Sequence, residues 1–509
     1  MFKSVNIVFI AIPALVLIIC AMLVMAVGPR GSDQFWYAGY VDCLFENARP
    51  CTNYITPTAW GSVELPPPIH HVPALYVAAL FKGLGSHAAW IASNVIFVGI
   101  GILFVYLAVF SVFGVGYAMT AVVVILAFPL TPWLTLNALG EASLFAYVAM
   151  FLYGTCALTK GRFLVSMLFM VLSAVLFTLS RSDGLILFVV MLGIVSLVKN
   201  LRGRDKTLAL GIAIIAPLLW LSLATIFPKY PSQGLSTILV MGGTGIPGGN
   251  MIAFYAESAL DFSFMTWATK AIRNLQALIF PSSVYDLLFG FPSLLIAFII
   301  APISGFLLRK QLSPCHYLSI LPAISLLCIS TLFQYQARYW FPYIPIFVFF
   351  LIALLWQLMK SKNYTGRVRR IQTLMIFGIS IISVFITLTL TQIILKDAHE
   401  YNSTIERIWS HQADFLSSDA VLILNSGEES YFAYALPNSK VLVANTDIND
   451  FDSIVSAIKR FKVNIIIAPT NERNAVEPLF AMLNVRESDT ISLYLARAAN
   501  VWIVTDDSQ

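Results

Sequence analysis

Charge is scarce in this sequence: Asp, Glu, Lys and Arg make up 11% of its 509 residues, and hydrophobic residues 59%. That balance excludes an ordinary soluble domain, in which about a quarter of the residues are charged. A folded basic face is also missing, because Lys and Arg fall mostly in short connections between apolar runs, so nucleic acid is not an expected partner. Cysteine is nearly absent, at six, and no cluster has the spacing of a zinc site. No internal repeat is visible and the notable charges do not sit at mid-span, both of which argue against a transporter.

Long apolar runs are what the chain has in abundance. A membrane-crossing helix needs about 20 mostly apolar residues, and such runs lie near 5–27, 88–113, 117–136, 142–158, 163–179, 184–198, 207–227, 288–308, 315–333, 341–359 and 371–395. The first, from Ser4 to Pro29, holds no charge at all and is too long for the apolar region of a cleaved signal peptide, about 7 to 15 residues. With the N-terminus inside, "TKGR" (159–162), "KNLRGRDK" (199–206), "RK" (309–310) and "KSKNYTGRVRR" (360–370) are all cytoplasmic and carry most of the bases of residues 1–396, as the positive-inside rule expects. The acids other than Asp205 fall on the outer side.

Two outer segments are long, 28–87 and 228–287. The first contains "VPALYVAALF" (72–81), too short to span and read as an interfacial helix. The second contains "MGGTGIPGGN" (241–250), whose glycines and proline forbid a regular helix. Beyond Asp397 the pattern changes: 16 acids stand against 8 bases, and short β-like runs at 420–424, 440–444, 463–469 and 501–505 alternate with helical stretches such as 450–462. This predicts a small α/β domain with a largely parallel sheet. The expected fold is a polytopic α-helical membrane protein, with about 11 spans within 1–396, and a C-terminal periplasmic α/β domain over 397–509.

Cys43 and Cys51 share the first outer segment and form a disulfide pair if it faces an oxidising compartment. The same segment opens with "GPRGSDQFWY" (28–37), which places Asp33, Trp36 and Tyr37 at the membrane surface. It continues through "TAWGSVELPPPIHHVPALY" (58–76), with Glu64, three stiffening prolines and the pair His70 and His71. An acidic, aromatic shelf suits a sugar, because a carboxylate accepts hydrogen bonds from hydroxyls and can take a proton from one; an exposed acid in an interfacial aromatic belt gives the same pattern. Glu141 in "NALGEASLF" (137–145), Arg181 and Asp183 in "LSRSDGL" (179–185), and Arg338 and Tyr339 in "YQARYWFPYIP" (335–345) end spans on the same side. Charges near hydrocarbon are costly, so they pair, bind something or snorkel to the interface.

The order and common sidedness of these motifs resemble the GT-C superfamily of integral-membrane glycosyltransferases, which includes bacterial aminoarabinose transferases and protein O-mannosyltransferases. The resemblance covers residues 1–395 and implies a sugar donor carried on polyprenyl (undecaprenyl) phosphate, a glycan, lipid or protein acceptor, and an inverting reaction on the periplasmic face of a bacterial inner membrane. It implies Asp33 as the catalytic base, with Glu141 orienting the acceptor or assisting a metal. Arg338 and Arg181 then hold the donor phosphate, and Trp36, Tyr37, Glu64, His70, His71, Asp183 and Tyr339 line the substrate site. Dependence on a divalent metal stays open, with no further cofactor expected. The alternatives are a polysaccharide polymerase or ligase, which shifts the weight to the 228–287 segment, and a lipid flippase or transporter.

Overall fold

The computed structural model describes residues 2–29, 32–49, 51–55, 60, 71–137, 139–181, 184–197, parts of 203–218, 263–279, 296–313, 315–332, 337–360, 365–410, 420–425, most of 432–446, 449–470, 473–483, 485–492 and 498–504. Glu64, His70, Asp183, the 241–250 stretch and nearly all of the expected 207–227 span lie outside them, and of Asp33 only the backbone is described.

Helix α1 (Phe2–Val27) is followed by α2 (Ser32–Asn47), a two-residue strand β1 (Tyr54–Ile55) and α3 (Val72–Ala79). Then come α4 (Ser86–Phe113), α5 (Val115–Ala127), α6 (Leu130–Leu136), α7 (Glu141–Thr159), α8 (Phe163–Ser180) and α9 (Leu185–Leu197). Further on lie α10 (Phe264–Ile279), α11 (Ala301–Leu307), α12 (Leu321–Leu332), α13 (Ile344–Lys360) and α14 (Thr365–Ser410). Among the described residues six helices are long and apolar enough to cross a membrane, or seven if α5 and α6, bent by 59° at their break, form one span. The stretches 186–197, 298–307 and 315–325 are apolar but shorter.

Large apolar side chains remain exposed in helical stripes: Ile12, Leu15, Ile19 and Met22 on α1, Leu164, Leu168 and Leu172 on α8, and Leu374, Phe377, Ile381, Phe385 and Leu388 on α14. Their three- and four-residue spacing marks one face of each helix. An uninterrupted apolar face of this extent is stable against lipid and not against water. Helix α7 has the opposite character, with 89% of its spanning window buried; it is the central post, packed on α4 and α8.

The structure corrects the loop expected at the start of the first outer segment. Residues 32–47 are a helix whose apolar residues serve two partners: Tyr40, Val41 and Leu44 join the core of the helix bundle, and Phe35 joins the core of the C-terminal sheet. The Cys43–Cys51 disulfide closes the end of this helix, as expected. Of the 72–81 stretch, Val72–Ala79 is helical, as α3.

Helix α14, at 46 residues, is about 69 Å long at 1.5 Å per residue, more than twice the hydrocarbon thickness of about 30 Å. The change in charge at Asp397 therefore falls inside a continuous helix. Its C-terminal part meets the rest of the chain where the Asn402 side-chain amide donates to the Val27 carbonyl and Ile405 enters the sheet core.

The sheet comprises β1, β2 (Ala420–Leu424), β3 (Lys440–Ala444), β4 (Val463–Pro469), β5 (Val485–Ser492) and β6 (Ala498–Val504), in the order β1-β3-β2-β4-β6-β5. Helix α15 (Phe451–Phe461) and helix α16 (Arg473–Phe480) pack on β4. The first four strands in that order are parallel, whereas β6 runs antiparallel to both β4 and β5. The sheet is thus mostly parallel, with three of its five pairings parallel and an antiparallel end: only five residues separate β5 from β6, too few for the crossover that a parallel pair needs. β1 is a difference from the expected domain, since it brings a strand from the 28–87 segment into a sheet otherwise built by the C-terminal chain.

Candidate functional site: a two-arginine centre at the head of α7

The segment Ala337–Tyr343 is a 3₁₀ helix, which puts residues three apart on one face; Arg338 and Phe341 share such a face. On α7, Glu141 and Phe145 are four apart and also share a face. The two faces meet as a matched pair. Phe341 stacks on Phe145 at 4.8 Å between ring centroids, and Arg338 Nε lies 3.3 Å from Glu141 Oε1. Gly101 on α4 makes room for this register, because a Cβ there would stand 2.3 Å from the Phe145 ring.

Glu141 is 4% exposed and Arg338 22%, so the pair is largely withdrawn from water, and the carboxylate sits in the first turn of α7, where the helix dipole favours an anion. Its Oε2 is buried with no hydrogen-bond partner among the described residues. Arg181 arrives from another direction, at the C-terminal end of α8, where its N–H donates to the Phe177 carbonyl over 2.7 Å. Its guanidinium lies over the Tyr339 ring at 4.6 Å, and that of Arg338 lies 5.6 Å from the same ring. One electron-rich ring thereby borders two cations.

His71 closes the back of this centre. It caps α3 in the left-handed conformation, with φ of 59°; its N–H donates to the Ser180 carbonyl over 3.0 Å, and its Nδ1 lies 3.4 Å from Ser143 Oγ. The ring covers Gly140 so closely that a Cβ there would be 2.2 Å from it. At 2% exposure, His71 joins α3, α7 and α8. Tyr37 on α2 meets the His71 ring edge-on at 5.6 Å and stacks on Trp90 of α4 at 4.6 Å. Position 33 is the second residue of α2, one turn before Tyr37 and on its face.

Six of the residues singled out by sequence therefore converge or border one another: Tyr37, His71, Glu141, Arg181, Arg338 and Tyr339. Trp36 does not join them. It turns to the sheet, against Tyr54 at 5.1 Å. Among the described residues no group of three His, Cys, Asp or Glu is placed to hold a metal.

Three further groups carried no signal in the sequence. Lys270 on α10 is 3% exposed, and burial lowers its amine to about 8. Its place on a short amphipathic helix is visible only once the chain is folded. His87 is buried at the head of α4 beside a cavity of about 350 Å³ lined by Gly28, Ser86, Asn402, Glu406 and Tyr434.

Asp42, on α2, is raised from its ordinary 3.8 to about 6: burial pushes it up, the Ser86 hydroxyl that donates to it pulls it down, and Glu46 pushes it up again. Between those two values the folded chain holds a proton that the unfolded chain has released. Stability contributed here is present below about pH 4 and is lost as the pH rises through about 6. Asp42→Asn, which can still accept from Ser86, should therefore raise the melting temperature in detergent at pH 8 and leave it almost unchanged near pH 4. An equal shift at both values would mean that the Asp42 carboxyl is not desolvated.

No family model matches this chain, and no curated protein matches it. Solved structures do. ArnT from Cupriavidus metallidurans in the apo state superposes with a TM-score of 0.58 at 14% identity, over 96% of this chain and 97% of that one. The same protein bound to undecaprenyl phosphate gives 0.52 at 12% identity, over 97% of each chain. The apo oligosaccharyltransferase of Archaeoglobus fulgidus gives 0.50 at 13% identity, over 94% of this chain and 71% of that one. The chain shares the fold of these structures. The likeness to ArnT spans nearly the whole chain and so takes in much of the C-terminal part, which had no counterpart from sequence.

Proposed function

We propose that this protein is a glycosyltransferase that moves a sugar from a polyprenyl phosphate to a cell-envelope acceptor on the outer face of a bacterial inner membrane. The observation that carries this reading is the meeting of Arg338, Arg181, Tyr339 and Glu141, from three separate chain segments. Two guanidinium groups supply planar, multidentate donors for a phosphate. ArnT, whose fold this chain shares, has been solved with undecaprenyl phosphate bound.

In the proposed reaction an acceptor hydroxyl attacks the anomeric carbon from the face opposite the phosphate, and its proton passes to the Asp33 carboxylate. The bond between the anomeric carbon and the phosphate oxygen breaks, and its electron pair leaves with the polyprenyl phosphate. A phosphate is a weak base and needs no proton from an acid. It needs positive charge, which Arg338 and Arg181 provide. Glu141 orients Arg338 through their ion pair, a positioning role in place of direct contact with the acceptor. The single displacement inverts the anomeric centre.

The proposed orientation is checked by cysteine labelling of intact cells with a membrane-impermeant maleimide. Ser456→Cys, exposed on α15, should label without lysis, and Lys310→Cys, exposed beyond α11, only after it. The reverse pattern would place the two-arginine centre in the cytoplasm and remove the proposed reaction from the outer face.

A further inference from the structure

Consecutive residues of α2 belong to different bodies. Phe35 is fully buried in the sheet core with Val421, Ile423 and Ile465 and meets Tyr434 edge-on at 5.2 Å, while Trp36 lies against Tyr54 of β1. Tyr37 turns the other way, to Trp90 and His71, followed by Tyr40, Val41 and Leu44 in the bundle core. The helix is wedged between sheet and bundle, with Asp33 two residues before Phe35.

The chain leaving α2 is then fastened to the same sheet. The Cys43–Cys51 disulfide brings it back, with 5.5 Å between the two Cα atoms. Buried Asn53 follows two residues later: its side-chain amide donates to the carbonyls of Leu436 at 3.0 Å and Ser439 at 3.2 Å, and its own carbonyl accepts from Val441 N–H at 2.8 Å. Tyr54 and Ile55 complete the join as a parallel edge strand on Val441 and Leu442. A two-residue strand has too little ladder to hold itself. The Asn53 bonds, made in a buried setting where an unmade one costs about 1–3 kcal/mol, supply the register that the short ladder lacks.

We propose that the C-terminal sheet is a positioning element for α2, and that Asn53, through β1, is the positioning residue that fixes the helix bearing Asp33 against the two-arginine centre. This assigns the sheet a part in the transfer reaction proposed above and rests on that reading for its catalytic consequence. Its structural consequence is independent of it: α2 should be ordered by the sheet and not by the bundle alone.

The test is hydrogen exchange on the full-length protein in detergent, comparing wild type with Asn53→Ala and with the milder Phe35→Leu. In Asn53→Ala the amides of 53–55 and of α2 should together exchange about tenfold faster or more, while those of α4 and α7 keep their protection; Phe35→Leu should accelerate α2 to a smaller degree and leave β1 protected. Turnover in Asn53→Ala should fall by about 10-fold to 100-fold, the range for a small misplacement of a reacting group, with the affinity for undecaprenyl phosphate unchanged. Faster exchange in 53–55 with α2 still protected, or unchanged α2 exchange in Phe35→Leu if Asn53→Ala does not fold, overturns the proposal. An accelerated α2 in a protein that transfers no sugar would instead uphold the positioning and sink the transferase reading.

Discussion

Asp33→Asn should lower turnover by about 10²-fold to 10⁴-fold, the contribution of a positioned general base, and should leave the affinity for the polyprenyl-phosphate donor almost untouched. Asparagine keeps the size and hydrogen-bonding capacity of aspartate and loses only the ability to take a proton. Folding should be nearly unaffected: position 33 lies in the first turn of α2, where losing the favourable interaction of an acid with the helix dipole costs about 0.3–1 kcal/mol. Turnover and donor binding measured on the same purified samples separate chemistry from recognition. Wild-type turnover in the variant would remove Asp33 as the base. Equal losses in both quantities would make it a binding residue.

Arg338→Lys should reduce kcat/KM by about 10²-fold although it conserves charge, on the scale found when one aligned donor to a developing anion is removed. An ammonium cannot reproduce the planar fork, and it cannot both pair with Glu141 and reach a phosphate beyond it. Glu141→Gln supplies the control. It leaves the guanidinium in place but unanchored, so its main kinetic effect should be on kcat, with a stability cost of about 1–2 kcal/mol. That cost is below the one for breaking a fully buried pair because Arg338 is 22% exposed. Kinetics that match wild type in Arg338→Lys would shift the phosphate to Arg181 alone. Melting curves recorded alongside tell a disordered centre from an unfolded protein.

The membrane class was legible because a span is a local property: an apolar run long enough to cross is visible without knowing its neighbours. Counting the spans was informative in the same way. It gathered Glu141, Arg181 and Arg338 at one end before any contact was known. What sequence could not show was that Glu141 meets Arg338, a result of the register between the 3₁₀ segment and α7 that Phe145 and Phe341 set.

Helix α2 escaped for a different physical reason. A helix packed on one side shows one apolar stripe, whereas α2 offers Phe35 to the sheet and Val41 and Leu44 to the bundle, which blurs the period. β1 is too short to carry an alternation pattern. β5, "VRESDTIS" (485–492), is an edge strand with charges along it, the usual guard against edge-to-edge association, and so reads as polar loop. Asp42 and Lys270 are ordinary surface residues by type, and only the folded chain buries them.

The central claim, that the two-arginine centre and α2 together transfer a sugar from a lipid phosphate, is tested most directly by turnover. Purified protein in detergent is supplied with a panel of monosaccharides on undecaprenyl phosphate and with cell-envelope extract as acceptor, and free undecaprenyl phosphate is measured against time. The predicted result is release from at least one donor, lost in Asp33→Asn while that donor still binds. Donors that bind without being cleaved, and that cross the bilayer intact once the protein is placed in vesicles, would contradict it.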